Sequence, residues 1–116
     1  DGRTVLYESF IGTVETGEIF VVPLGGGAPR SLAQGTDPKW SPDGTRIAYK
    51  VHEPGTDRYW LHVMELDGSN DRVLAEGTFP SWFPDGRRLA FMAPTTNGWQ
   101  IHVVHIDTGE VERLTP

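Results

Sequence analysis

The spacing of the histidines and carboxylates in the sequence argues against a metal centre. His52 is close to Glu53 and Asp57 in a polar segment, which is more typical of a solvated loop than of a site with fixed ligands. His102 and His105 are three positions apart in a predicted strand, so they face opposite sides of a sheet and cannot bind one ion together. We therefore predict neither a metal site nor a cofactor.

Covalent catalysis is not predicted either. The chain contains no Cys, which removes thiolate nucleophiles, thiolate metal ligands and disulfides. It contains no G-x-S-x-G sequence, the strand-to-helix turn that presents the nucleophile of an α/β-hydrolase. We expect that these 116 residues are not themselves an enzyme.

The charge of the chain limits the classes of partner. The formal net charge is −6 and there are no clusters of basic residues, so nucleic acid and anionic membrane surfaces are not expected partners. No apolar run is long enough to predict insertion into a membrane. The expected partner is a protein or a peptide.

The residues are organised in a repeat of 42 positions. An Asp-Gly pair recurs at intervals of 42 positions, at 1–2, 43–44 and 85–86, and residues 1–42 align with 43–84 without a gap. Trp40 meets Trp82 in this alignment, which predicts a core position for both. A period of about 40–45 residues that is rich in short strands is typical of a propeller blade.

The middle copy shows the content of one repeat, four antiparallel strands. The predicted strands are 38–41, 46–51, 59–66 and 71–74, with tight turns at Asp43-Gly44 and Asp67-Gly68. The third strand is apolar on both faces, as expected for a sheet that lies between two neighbouring sheets. His62 and His102 share one repeat position and are expected to pack between blades.

The predicted fold is therefore all-β, a partial β-propeller of four-stranded antiparallel blades. The copies cover approximately 1–36, 37–78 and 79–116, so two blades are complete and the first lacks its inner strand. Residues 8–18 are expected to form a variant loop, and residues 92–99 an irregular one after the loss of two residues.

The sequence P-K-W-S-P-D-G-T-R-I-A-Y at 38–49 resembles the repeat of TolB-type propellers, and so do 61–68 and 113–115. The resemblance covers almost the whole chain. It implies the propeller fold, a role in docking a protein and a periplasmic location. Similar repeats also occur in the propellers that gate prolyl oligopeptidase-type hydrolases, so an accessory segment of such an enzyme is the alternative function.

Fewer than three blades cannot close a ring, because closed propellers have about four to eight. We expect either a segment of a longer propeller or a homo-oligomer in which copies associate head to tail. A further alternative is an engineered or excised fragment that assembles into a ring by itself. In each case, exposed blade faces favour association.

Candidate binding residues are those that differ between copies in the loops of one rim. These loops join the second strand to the third, and the last strand of one blade to the first of the next. Variable loops on a repeated scaffold are suited to binding. The candidates are Asp37, His52, Asp57, Arg58, Trp60, Phe79, Asn97 and Trp99.

Overall fold

The computed structural model describes residues 4–10, 17–23, 28 and 30–114. Every regular element in these residues is a β-strand, so the all-β prediction is confirmed. The strands are β1 (Thr4–Phe10), β2 (Gly17–Pro23), β3 (Arg30–Gln34), β4 (Thr36–Trp40), β5 (Arg46–His52), β6 (Tyr59–Glu65), β7 (Arg72–Glu76), β8 (Thr78–Trp82), β9 (Arg88–Thr95), β10 (Gly98–His105) and β11 (Val111–Arg113).

The strands form three antiparallel sheets that follow one another along the chain. Blade 1 consists of β1, β2 and β3, blade 2 of β4 to β7, and blade 3 of β8 to β11. Strand β4 contacts β1 and β2, and β8 contacts β5 and β6, so each blade packs beside the next. The prediction of two full blades after one that lacks its inner strand is confirmed.

Two loop predictions are wrong in their extent. Residues 92–99 are regular, because β9 and β10 form a hairpin with a turn of Thr96 and Asn97. The two residues missing from this copy shorten a polar loop to a tight connection, and Gly98, directly after the turn, takes a φ of 94° that glycine adopts without strain. Of the predicted variant loop, residues 8–10 belong to β1 and 17–18 to β2, while 11–16 lie outside the described residues.

The core lies between the blades. Strand β6 places Leu61 and Val63 on the side of blade 3 and Met64 on the side of blade 1, and all three are fully buried. Each such side chain contributes about 1.5–3 kcal/mol on burial. The cluster between blades 2 and 3 contains Ala48, Leu61, Val63, Leu89, Phe91, Ala93, Val104 and Ile106. The cluster between blades 1 and 2 contains Ile19, Ile47, Tyr49 and Met64.

The repeated tryptophans lie at the border of these clusters. Trp40 packs against the cluster of blades 1 and 2, and Trp82 against the cluster of blades 2 and 3. Both are half-buried, so the predicted core position is correct only in part. The indole Nε1 of Trp82 donates a hydrogen bond to the Lys39 carbonyl in the preceding blade, 3.0 Å away, which keeps the ring near the surface.

The Asp-Gly turn of blade 2 is organised by one carboxylate. Asp43 Oδ1 accepts hydrogen bonds from Ser41 Oγ at 2.7 Å, Thr45 Oγ1 at 2.8 Å and the Thr45 amide at 3.1 Å. Gly44 has a φ of 74°, which an L-residue adopts only with strain. The hydrogen bonds, with that of Ser41 the largest cause, lower the pKa of Asp43 from 3.8 to about 2.

In blade 3 the same turn has Phe83 in place of the serine. Asp85 still accepts from the Arg87 amide at 2.9 Å, and from Arg88 Nε at 2.9 Å. The Arg88 guanidinium lies 4.2 Å from the centroid of the Phe83 ring. A cation–π contact and an ion pair thus occupy the place of the serine hydrogen bond.

We expect Ser41→Ala to raise the pKa of Asp43 toward 3.8, because the largest of the lowering hydrogen bonds is lost. A native pKa below the unfolded value stabilises the fold above about pH 4, and this contribution is lost as the pH falls toward 2. Between about pH 4 and pH 2, the free energy of unfolding should therefore fall less in the variant than in the parent. Carboxyl NMR titration with acid unfolding measures both effects. Ser81→Ala, an exposed serine on β8, is the control, and an Asp43 that titrates near 3.8 in the parent would contradict the prediction.

Two glycines at the same repeat position allow the chain to cross between blades. A Cβ on Gly77 would lie 2.5 Å from Phe91 Cδ2 and 2.6 Å from the Met92 carbonyl oxygen. A Cβ on Gly35 would lie 2.6 Å from Tyr49 Cδ2. These separations are too short for atoms that are not bonded to each other, so only glycine fits beneath the aromatic ring of the second strand of each blade.

Gly77→Ala is expected to reduce the free energy of unfolding by about 3 kcal/mol, because a backbone carbonyl and a core ring must both move. Gly55→Ala is the matched control: its Cβ meets nothing within 4 Å, and only its φ of 78° opposes alanine. That strain costs about 1 kcal/mol. Urea unfolding compares the two variants, and equal losses would show that the close approach at Gly77 is unimportant.

Candidate functional site

Three connections meet at one end of blades 2 and 3 and form a cleft between them. Its volume is about 170 Å³. The β5–β6 loop and the start of β6 provide one wall, the β7–β8 connection the floor, and the β9–β10 hairpin the other wall. We call this the rim cleft, and its lining residues are Asp57, Arg58, Tyr59, Glu76, Gly77, Pro94 and Trp99.

Three of the residues predicted for binding, Asp57, Arg58 and Trp99, are brought together in the rim cleft. Sequence reasoning missed Tyr59, Glu76 and Pro94. No local sequence signal identifies Glu76, which is the last residue of β7 and directly precedes Gly77. These side chains add an aromatic ring, a carboxylate and an apolar edge to the predicted set.

The polar groups of the rim cleft are available for contacts. Among the described residues, the side chains of Asp57, Arg58 and Glu76 take part in no hydrogen bond or ion pair, and the same holds for the indole N–H of Trp99. Trp99 is 54% exposed. The cleft therefore offers two carboxylates, one guanidinium and one indole donor around an apolar centre.

His52 and Trp60, also predicted for binding, hold the β5–β6 loop in place. The Nε2 atom of His52 lies 2.6 Å from the Thr56 carbonyl oxygen, and Trp60 Nε1 donates to Glu53 Oε1 at 2.8 Å. Neither residue lines the rim cleft, and Trp60 instead faces a shallow groove beside Val73. The His52 ring makes an edge contact of 5.0 Å with Tyr59, so the pair positions one wall of the cleft.

Asp37 and Phe79 occupy equivalent positions at the start of the inner strands. Their φ angles are 56° and 55°, in the left-handed region that non-glycine residues seldom adopt. Each lies in a register irregularity between its strand and the next one. The Asp37 carboxylate forms an ion pair of 3.2 Å with Lys39, whereas the Phe79 ring is 67% exposed.

Lys50 connects the rim cleft to Phe79. Its ammonium nitrogen lies 4.7 Å from the centroid of Tyr59 and 5.6 Å from that of Phe79. The same nitrogen donates to Thr78 Oγ1 at 3.3 Å. A line of aromatic rings and one cation thus runs from the cleft to the inner strands.

Asn97, the remaining candidate, is exposed at the tip of the β9–β10 hairpin and does not line the cleft. Its backbone amide donates to Thr95 Oγ1 at 3.1 Å, and its backbone carbonyl oxygen accepts from Gln100 Nε2 at 3.5 Å. These contacts are those of a residue that stabilises the turn between β9 and β10.

The repeated histidines pack on rings of the adjacent strand in their own blade. His62 lies 5.2 Å from Tyr49, and His102 lies 5.7 Å from Phe91 in a stacked arrangement. In blade 2, Asp71 accepts a hydrogen bond from the Tyr49 hydroxyl and lies 3.2 Å from His62 Nδ1. Burial, and then the bond to Asp71, raises the pKa of the Tyr49 hydroxyl, so this group stays protonated and serves packing.

Residues 4–10, 17–23, 28 and 30–114 contain no group of three or more His, Cys, Asp or Glu side chains placed to hold a metal ion. The same residues include no helix with the length and apolar character needed to cross a bilayer.

The fold is shared with known proteins, although no protein-family model and no curated protein sequence matches the chain. TolB from Acinetobacter baumannii is 22% identical and superimposes with a TM-score of 0.76 over 97% of this chain and 30% of its own. A putative TolB from Agrobacterium tumefaciens is 26% identical, with a TM-score of 0.80 over 100% of this chain and 43% of its own.

A third similar structure is the β-propeller domain of the Trilobed protease from Pyrococcus furiosus. It is 20% identical, with a TM-score of 0.82 over 100% of this chain and 41% of that one. The chain thus spans less than half the length of each of these three structures. Together with its three successive antiparallel blades, these matches show that the chain has a TolB-like β-propeller fold.

Proposed function

We propose that the chain is a non-catalytic module that binds a protein or peptide at the rim cleft. The observation that carries the proposal is that Asp57, Arg58, Glu76 and Trp99 converge around one cavity. The polar groups of these side chains form no hydrogen bond or ion pair with any described residue. Aromatic side chains and arginine are the residues that dominate binding energy at protein interfaces.

The size of the cleft favours one side chain of a polypeptide over a whole small molecule. Its 170 Å³ is well below the range of about 300–1,000 Å³ that is usual for ligand pockets. An apolar part of the partner would lie between Tyr59, Pro94 and Trp99. Hydrogen-bonding groups on either side of it would reach the carboxylates and the guanidinium.

The scaffold makes the cleft a rigid receptor. Its walls belong to two blades that share one buried cluster, and its floor includes Gly77, whose amide donates to the Tyr59 carbonyl at 2.8 Å. Lys50 and the exposed ring of Phe79 extend the same surface toward the inner strands. Binding would therefore use preformed geometry, which reduces the entropy cost of association.

The alternative is that the module is the accessory propeller of a prolyl oligopeptidase-type hydrolase. The likeness to the propeller domain of a protease supports this reading at the level of the fold. In that case the rim would contact a polypeptide on its way to a catalytic domain. For a TolB-like role we propose a periplasmic location, on the basis of the family resemblance.

Selection of random linear peptides against the immobilised chain, followed by affinity measurements, tests the proposal. We expect Trp99→Ala to weaken a selected peptide by about tenfold or more, because a central aromatic anchor is lost. Arg58→Ala should also weaken binding, by a smaller factor. Val73→Ala is the matched control: Val73 is 55% exposed and lies away from the cleft, so its variant should bind as the parent does.

Two results would contradict the rim cleft as the site. One is the absence of any peptide enriched above an unrelated acidic protein. The other is a set of selected peptides whose affinities are unchanged by Trp99→Ala and by Arg58→Ala.

A further inference from the structure

We propose that the rim cleft selects an arginine or lysine side chain of the polypeptide that it binds. The inference rests on the proposed function, in which the cleft receives one side chain, and it names the chemistry of that side chain. Arginine and lysine combine an apolar stem with a cationic end. The cleft has a surface for each part, since aromatic rings and a proline line it together with two carboxylates.

The aromatic residues of the cleft come from equivalent positions in adjacent blades. Tyr59 is opposite His52 in blade 2, and Trp99 is opposite Pro94 at the same place in the hairpin of blade 3. The Tyr59 ring already has a cation–π contact with Lys50, at 4.7 Å. Trp99 is 54% exposed and contacts no ring or cation among the described residues. Its indole is therefore the ring that remains for the cation of a ligand.

The charges that line the cleft favour a cation over an anion. Asp57 and Glu76 provide two carboxylates and Arg58 one guanidinium, and none of the three is paired with a described residue. The ammonium group of Lys50 is engaged elsewhere, because it donates to Thr78 Oγ1 at 3.3 Å, and Lys50 does not line the cleft. An anionic side chain would thus meet two like charges and one opposite charge, whereas a cationic one meets the reverse.

The blade itself does not require a carboxylate at Glu76. This residue ends β7 opposite Trp60, and Gln34 ends β3 opposite Glu18 at the same repeat position. Each of the two is followed directly by a glycine. A neutral side chain of the same length therefore fits this place in the sheet, and the charge of Glu76 is left for recognition of a ligand.

NMR titration with short capped peptides tests the inference, because each probe has one side chain and no terminal charge. The probes are acetyl-glycyl-arginyl-glycinamide, its citrulline analogue, which has the shape of arginine without the charge, and its glutamate analogue. We expect the arginine probe to shift the indole N–H of Trp99 and the amides of residues 57–59 and 76–77, with a dissociation constant on the order of 1 mM. The citrulline probe should bind at least about fivefold more weakly, because the cation–π contact and the attraction to two carboxylates are lost. The glutamate probe should bind more weakly still.

Two variants neutralise the carboxylates without changing the size of the side chains. Asp57→Asn and Glu76→Gln should each weaken the arginine probe by about twofold to threefold. Together they should reduce its advantage over the citrulline probe to about twofold, because that advantage depends on the charges of the cleft. Glu110→Gln is the matched control: it also removes one negative charge, but Glu110 is exposed directly before β11 and does not line the cleft. Its affinity for the arginine probe should equal that of the parent, and the spectrum of each variant also shows whether the blades remain folded.

An arginine probe that binds no more tightly than the citrulline probe would overturn the inference, as would a glutamate probe that binds best. The absence of shifts at the cleft with every probe would overturn it too. The selection of random peptides is a separate experiment. Selected peptides that depend on Trp99 but contain no arginine or lysine would support the proposed function and contradict this inference. An arginine probe that binds in the cleft while no peptide is enriched would support the inference and contradict the proposed function.

Discussion

The packing of each blade against its neighbours is the constraint on which this structure depends. The strands of blade 2 are apolar on both faces, with Leu61 and Val63 buried toward one neighbour and Met64 toward the other. A sheet of this kind is stable only when both faces are removed from water. The relative position of two blades is then set by interlocking side chains, and the loops at their common rim are held at fixed distances. The rim cleft is a direct consequence.

Some side chains near the rim cleft hold its loops in place, whereas others keep their polar groups available for a partner. Trp60 and His52 are used within the β5–β6 loop, where they contact Glu53 and Thr56. Gly77 permits the crossing between blades beneath the ring of Phe91. The Asp57 carboxylate and the Trp99 indole N–H form no hydrogen bond or ion pair with the described residues. This contrast, and not exposure alone, is the reason that we propose Asp57 and Trp99, and not His52 and Trp60, as binding residues.

The fold was predictable from the sequence because its period is long, regular and supported by turn residues at fixed positions. The site was predictable only in part. Variation between copies identified Asp57 and Trp99, but Glu76 lies one residue before an invariant glycine at the end of a strand, and no local pattern shows that it faces another blade. The loss of two residues near Pro94 predicts an irregular loop, whereas Pro94 lies in β9, next to a tight hairpin turn. Contacts between blades depend on how sheets stack, which a single repeat does not specify.

The central claim is that the rim cleft is where this propeller binds a polypeptide. NMR chemical-shift mapping with a selected peptide tests it most directly, because it locates the contact without altering any residue. We predict shift changes concentrated at the amides of residues 57–59 and 76–77 and at the indole N–H of Trp99. Changes confined to the opposite end of the blades, at the turns of Asp43 and Asp85, or spread evenly over the chain, would contradict the account.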